Sequence, residues 1–338
     1  MKAFPLFLVF AFLSLQGIAQ SDSVAYYLAS GKQKMEAGLN NAASIDFAKA
    51  LEFDPQSVEA LIANGNVNMK MYRLYEAEQN FKKASEIQPG NKELTKSLMN
   101  LSFNARQHKK AIELAEKCDC EESDRIIGIS YFRMENYGKA LTYLQNALKK
   151  NESDAEAVYT IARTYMELEN TKEMLAYYAK AVTLAPEKGI WHYELALLYY
   201  NADDFKNSLK EFELARNNGY RESNDFIENY GFCLLYAGEK EAALKALADV
   251  LERKANNPTL LADIAYGLYL TKNYKDAISF YDKLLKANPT DASSMYMAGM
   301  AFQKMGEKQK GQAICDKAIE MNPALAKNRQ KKEMPMGL

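Results

Sequence analysis

Polar and apolar positions along the chain repeat with a long and regular period. From Asp22 onward a small residue opens the second helix of each predicted pair. A large residue, often aromatic, follows four positions later and a further small residue seven positions later, most plainly in Ala43, Phe47, Ala50 and in Ala77, Phe81, Ala84. The equivalent openings are Ala43, Ala77, Ala111, Ala140, Met174, Ser208, Ala243, Ala277 and Gly311, separated by 34, 34, 29, 34, 34, 35, 34 and 34 residues. A self-similar period of this length predicts stacked supersecondary units rather than one globular core.

Two further marks share the register. Twelve residues before most openings stands another small residue: Gly31, Gly65, Gly128, Ala162, Ala196, Gly231, Ala265 and Gly299. Twelve residues after several of them stands a proline, at Pro55, Pro89, Pro186, Pro289 and Pro323. Proline blocks helix continuation, so each of these marks where one pair ends and the next begins. Two antiparallel helices meet closely only where side chains are small, so Gly31 admits the partner helix at Ala43 and Phe47 fills the space beside it. A lone pair cannot cover its apolar stripe, and neighbouring pairs must stack.

Together with segments such as GEKEAALKAL and NYKDAISFYDKLLKANP, this pattern resembles the tetratricopeptide repeat, in nine copies over nearly the whole chain after the leader. The resemblance implies an all-α fold, an α-α superhelix or solenoid of about nine helix-turn-helix repeats, right-handed and with one concave face. Repeats 1–3 then occupy residues 22–123 and repeats 4–9 residues 124–323. Residues 324–338 would form a basic C-terminal capping helix and tail, the polar end that a solenoid needs. The step of 29 residues between Ala111 and Ala140 predicts a truncated second helix in repeat three and a hinge or sub-lobe boundary near Asp119–Ser123.

Composition supports a folded chain: 338 residues, 48% hydrophobic, 26% charged and eight prolines. The formal charge of -1 supplies no field that would draw in nucleic acid or an anionic membrane, so no nucleic-acid partner is expected. Residues 1–19 carry Lys2, an apolar run from Ala3 to Leu15 and small residues at Gly17 and Ala19, the pattern of a signal peptide. The run has 13 residues where a bilayer crossing takes about 20, so no membrane insertion is expected after cleavage. No cysteine follows it, which argues against lipid attachment. The aromatic-rich leader and the cut before Gln20 resemble those of exported bacterial proteins of the Bacteroidetes type. The expected location is the periplasm or cell envelope, or outside the cell.

Catalytic chemistry has little to build on. The two histidines, His108 and His192, fall more than two repeats apart, and no phosphate loop, HExxH or GxSxG is present. No enzyme activity, cofactor or metal is expected. Of four cysteines, Cys233 and Cys315 read as small core residues in separate repeats, whereas Cys118 and Cys120 are free or locally bridged beside the shortened helix.

The resemblance also implies that the first helix of each pair lines the concave groove. That places Lys32, Asn66, Lys96, Asn100, Arg125, Arg133 and Arg163 on its early part, and Tyr159, Tyr193, Tyr200, Phe232, Tyr266, Tyr269 and Tyr296 on its aromatic later part. Lys96 and Asn100 resemble the pair with which some co-chaperones of this family grip a C-terminal carboxylate, although Ile126 stands where that clamp needs asparagine. The expected partner is a protein or peptide segment held in the groove by aromatic contacts, its acidic residues paired by the arginines. Glycan or cell-wall binding is the alternative, since tyrosine faces stack on sugars too.

Overall fold

The computed structural model describes residues 22–254 and 257–329. The leader expected over residues 1–19 and the end of the tail lie outside the described residues. Every regular element among the described residues is helical, as the all-α reading requires. The chain forms two compact units that divide after Leu184. The first holds the hairpins α1 (residues 22–36) and α2 (Asn40–Phe53), α3 (Val58–Lys70) and α4 (Leu74–Ile87), α5 (Lys92–Asn104) and α6 (His108–Cys118), α7 (Ser123–Arg133) and α8 (Tyr137–Lys150), and α9 (Ala155–Glu167) and α10 (Thr171–Leu184). The second holds α11 (Gly189–Asn201) and α12 (Phe205–Asn217), α13 (Asn224–Tyr236) and α14 (Lys240–Arg253), α15 (Pro258–Leu270) and α16 (Tyr274–Ala287), and α17 (Ala292–Lys304) and α18 (Lys308–Met321), closed by a 3-10 helix over Pro323–Arg329. The capping element is therefore, as far as it is described, a short 3-10 turn, with Leu325 packed toward Tyr296, Cys315 and Ala318.

Each hairpin is built around one small-to-large contact. A Cβ added to Gly31 would lie 2.5 Å from the Phe47 ring, and one added to Gly65 would lie 2.3 Å from the Phe81 ring. The glycine thus makes room for the large residue itself rather than for the helix opening at Ala43. The residues equivalent to Phe47 are buried throughout: Phe81, Ala115, Leu144, Tyr178, Phe212, Leu247, Tyr281 and Cys315. In the third hairpin the sizes are exchanged, with Met99 in the small position and Ala115 in the large one, both fully buried in one cluster. Total side-chain volume is held while its source moves to the other helix, the kind of change a packed core tolerates.

The turns repeat as faithfully. Gly38, Tyr72, Arg106, Glu135, Glu169, Asp203, Gly238, Lys272 and Gly306 all have positive φ, one per hairpin and in the same register as the small residues. Most first helices start on a capping side chain that accepts a backbone N–H: Ser57, Asn91, Asp154, Ser223, Asn257 and Asp291. Such a cap stabilises a helix by about 1 kcal/mol.

The shortened step is shared between two helices, which corrects the expectation of one truncated helix. Both α6 and α7 have 11 residues, where α4 and α8 have 14 and α5 and α9 have 13. Asp119 turns the corner at φ 43°, and Cys118 and Cys120 are bridged across it. The Ser123 hydroxyl accepts from the Cys120 N–H at 2.9 Å and donates to the Ala115 carbonyl at 2.9 Å. This tied corner is not the unit boundary expected there, since the division falls after Leu184.

Candidate functional site

Within each unit successive first helices lie against one another, α3 with α5 and α7 with α9, then α13 with α15 and α15 with α17. Their remaining side chains form the faces on which the groove residues were expected. Lys96, Asn100, Arg125, Tyr159 and Arg163 belong to the first unit, and Tyr193, Tyr200, Phe232, Tyr266, Tyr269 and Tyr296 to the second.

In the first unit Asn66, Lys96 and Asn100 come together, with Ser97, Asn104 and Met69, around a cleft of about 570 Å³. Here amide groups from α3 and α5 point into one open space, an arrangement suited to the backbone of an extended chain. The cations nearby are largely occupied. Lys96 pairs with Glu122 at 2.7 Å, Lys32 with Glu59 at 2.6 Å and Arg125 with Asp154 at 3.3 Å. Burial pushes the Glu122 carboxyl upward, but the Lys96 hydrogen bond and its charge outweigh that and hold it below the usual range. The Arg163 guanidinium lies over Phe132 at 5.3 Å and over Tyr159 at 6.0 Å, and Arg133 lies over Phe132 at 5.9 Å. The basic side chains expected to meet a partner's acids thus already have internal partners. Ile126 is buried in the core, with no place on the face.

In the second unit the aromatic residues separate into four groups. Tyr296 is core, 5% exposed against Cys315 and Ala318, which removes it from the face. Tyr193 is a packing residue: its ring stacks on Tyr220 at 4.5 Å and on Phe226 at 5.6 Å, and its hydroxyl accepts from Asn229. Phe232, Tyr266 and Tyr269 are half-buried on the face, the two tyrosines stacked 6.5 Å apart. Tyr200 opens instead onto a cleft at the turn ends of the helices, with Phe205 and Tyr236, which were not singled out from the sequence. The clue to them lies in the aromatic residues that flank the turn residue Asp203.

The histidines carry structural contacts. His192 is buried, with Nδ1 2.6 Å from Glu211 and Nε2 3.1 Å from the Pro186 carbonyl. His108 packs edge-on to Phe103 at 6.3 Å. Cys233 and Cys315 are buried thiols outside the disulfide, as small core residues should be.

Profiles described as "Tetratricopeptide repeat" match residues 127–187, 159–222 and 234–292, and a second profile of the same description matches residues 292–325. The chain belongs to the tetratricopeptide repeat family. Among curated relatives it is similar to DnaJ homolog subfamily C member 3 of Rattus norvegicus, 23% identical over 310 residues that cover 89% of this chain and 53% of that protein. It also resembles the TPR repeat-containing protein YpiA of Bacillus subtilis, 29% identical over 123 residues, 36% of this chain and 28% of that one. The chain spans about half the length of the DnaJ-homolog relatives. Among solved structures, a monomeric IFIT1 mutant with m7Gppp-AAAA superposes with a TM-score of 0.50 at 14% identity, over 88% of this chain and 71% of that one. At that identity the likeness speaks for the tetratricopeptide fold alone.

Proposed function

We propose that this tetratricopeptide protein is an exported, non-catalytic interaction scaffold that holds a segment of a partner polypeptide against the first-helix faces of its repeats. The observation that carries the reading is the cleft of Asn66, Lys96 and Asn100, where side chains that pack no core converge from neighbouring first helices. Amides present donors and acceptors in the same direction, as an extended backbone requires, and Met35 and Met69 at the rim adapt to varied side chains. Export rests on the apolar run from Ala3 to Leu15, and work in the periplasm or envelope, in complex assembly there, follows from it.

Affinity capture with the full chain from its native host, followed by mass spectrometry, tests the reading. The Asn66→Ala, Asn100→Ala double variant should lose a partner that the native chain retains, with unchanged thermal stability. Retention of every partner by that variant would remove the groove from the account.

A further inference from the structure

The cleft at the turn ends of the second unit has a chemistry of its own. Tyr200, Asn201, Asp203, Phe205, Tyr236 and Leu270 surround a space of about 690 Å³. Three rings form one wall. Their centroids lie 5.9 Å apart for Tyr200 and Phe205, 6.1 Å for Tyr200 and Tyr236 and 5.5 Å for Phe205 and Tyr236. A charge resting over this triangle comes within the roughly 6 Å at which aromatic faces attract a cation.

The field in the cleft has the same preference. Asn201, Tyr236 and Leu270 are the last residues of α11, α13 and α15, so three helix C-termini end at the cleft. Each carries the equivalent of roughly half a negative charge. Asp203 adds a carboxylate at the rim, and Asp263, about two turns back from the end of α15, adds to the negative charge felt by Tyr236. The four first helices of this unit hold Glu194, Asp225, Glu228 and Asp263 but Lys304 as their sole lysine or arginine. Of the lysines beyond them, Lys254 is paired with Glu228, Lys240 is held by Asp276 at 2.9 Å, and Lys240 and Lys272 line a neighbouring cleft, which leaves Asp203 and Asp263 as the carboxylates that bear on this one. Burial, with the nearby carboxylates, raises the phenol pKa of both Tyr200 and Tyr236, so both rings stay neutral and keep their electron-rich faces.

We infer that the Tyr200–Phe205–Tyr236 cleft receives the guanidinium or ammonium group of an arginine or lysine side chain on the bound partner segment. This rests on the segment-holding reading and reverses the partner charge expected from the sequence, because the basic side chains expected on the groove, Lys32, Lys96, Arg125, Arg133 and Arg163, have internal partners while the aromatic cleft faces carboxylates and helix C-termini. Backbone elsewhere along the first helices would hold the segment, and the cleft would fix its register by capturing one cationic side chain.

The test uses the full chain with tyrosine ring carbons labelled for NMR. The probes are a short arginine peptide, the same peptide with citrulline in place of arginine, and tetramethylammonium. The arginine peptide and tetramethylammonium should shift the Tyr200 and Tyr236 signals saturably, and the citrulline peptide should not. Asp203→Asn with Asp263→Asn, both exposed positions, should weaken the arginine peptide at least about fivefold while leaving the melting temperature in place. Equal shifts from arginine and citrulline, unmoved tyrosines, or an unaltered affinity in the double variant would each overturn the inference. If the captured partner of the native chain still binds that double variant unchanged, the cation site falls while the groove reading stands. If the partner is also indifferent to Asn66→Ala with Asn100→Ala, both fall.

Discussion

Phe81 covers the backbone of Gly65 so closely that a methyl group at residue 65 would lie 2.3 Å from the ring. This contact, repeated along the chain with changes of size, sets how near the two helices of a hairpin come. Gly65→Ala should therefore destabilise the chain by about 1–3 kcal/mol, the usual cost of overpacking a tight core. Phe81→Ala should cost about 3–5 kcal/mol. Chemical denaturation of both variants measures the two, and Phe81→Leu in the Gly65→Ala background should recover part of the loss, since the residues share one contact.

A second prediction concerns the hairpin turns. In these turns Glu135, Lys272 and four other non-glycine residues hold positive φ. That conformation costs an L-residue about 1–2 kcal/mol, and glycine's own loss of freedom offsets about 0.5–1 kcal/mol of the relief. Glu135→Gly and Lys272→Gly should each raise stability by about 0.5–1 kcal/mol, read as a higher melting temperature. Gly238→Ala, at the same place in its hairpin, should lower it.

Acid should weaken the chain in two stages. Burial, with Arg133 and Arg106 nearby, holds the His108 pKa below its ordinary value. The unfolded chain then binds that proton first, so stability falls as pH drops below about 6.5. Asp46 is buried; burial raises its pKa, but hydrogen bonds from Lys34 at 2.5 Å and Ser30 at 2.6 Å outweigh this and lower it. Its contribution is present above the ordinary carboxylate value of about 4 and is lost as pH falls through the lower folded one. Denaturant midpoints measured from pH 8 to pH 3 should show both declines, and Asp46→Asn should flatten the second.

Thiol chemistry should separate the cysteines. With Cys118 and Cys120 bridged and Cys233 and Cys315 buried, the native chain should give almost no reaction with a thiol reagent. Two thiols should appear on unfolding without reductant and four after reduction. Four on unfolding alone would show that the corner at Asp119 is held by Ser123 without the bridge.

The fold was legible because its determinants are periodic: small against large, one turn residue and one helix stop per hairpin. The exchange of Met99 and Ala115 hid one copy from the small-residue pattern without disturbing the rest. Site residues were harder to read, because a first-helix side chain is free or packed according to neighbours that periodicity does not specify. Tyr193 meets Tyr220, which lies in the connection after α12, and Arg125 meets Asp154, the cap of the next hairpin's first helix. Tyr296 occupies the same place in its repeat as Lys96, yet it is buried against the last hairpin while Lys96 reaches the cleft. The turn-end cleft depends on three helix ends brought together by stacking, and no local segment carries its pattern.

Truncating a packed ring and an open cleft amide should therefore give different results. Tyr193→Ala should cost about 3 kcal/mol or more, as removal of a large packed ring does. Asn100→Ala should stay within about 0.5 kcal/mol, as surface changes do. Urea unfolding of the two variants measures the contrast.

Hydrogen exchange of the full chain, free and in complex with the partner captured from its host, bears most directly on the central claim. Added protection should fall on the exposed turns and the first helices α3, α5, α13 and α15. Protection confined to the second helices, with the first helices unchanged, would contradict the account.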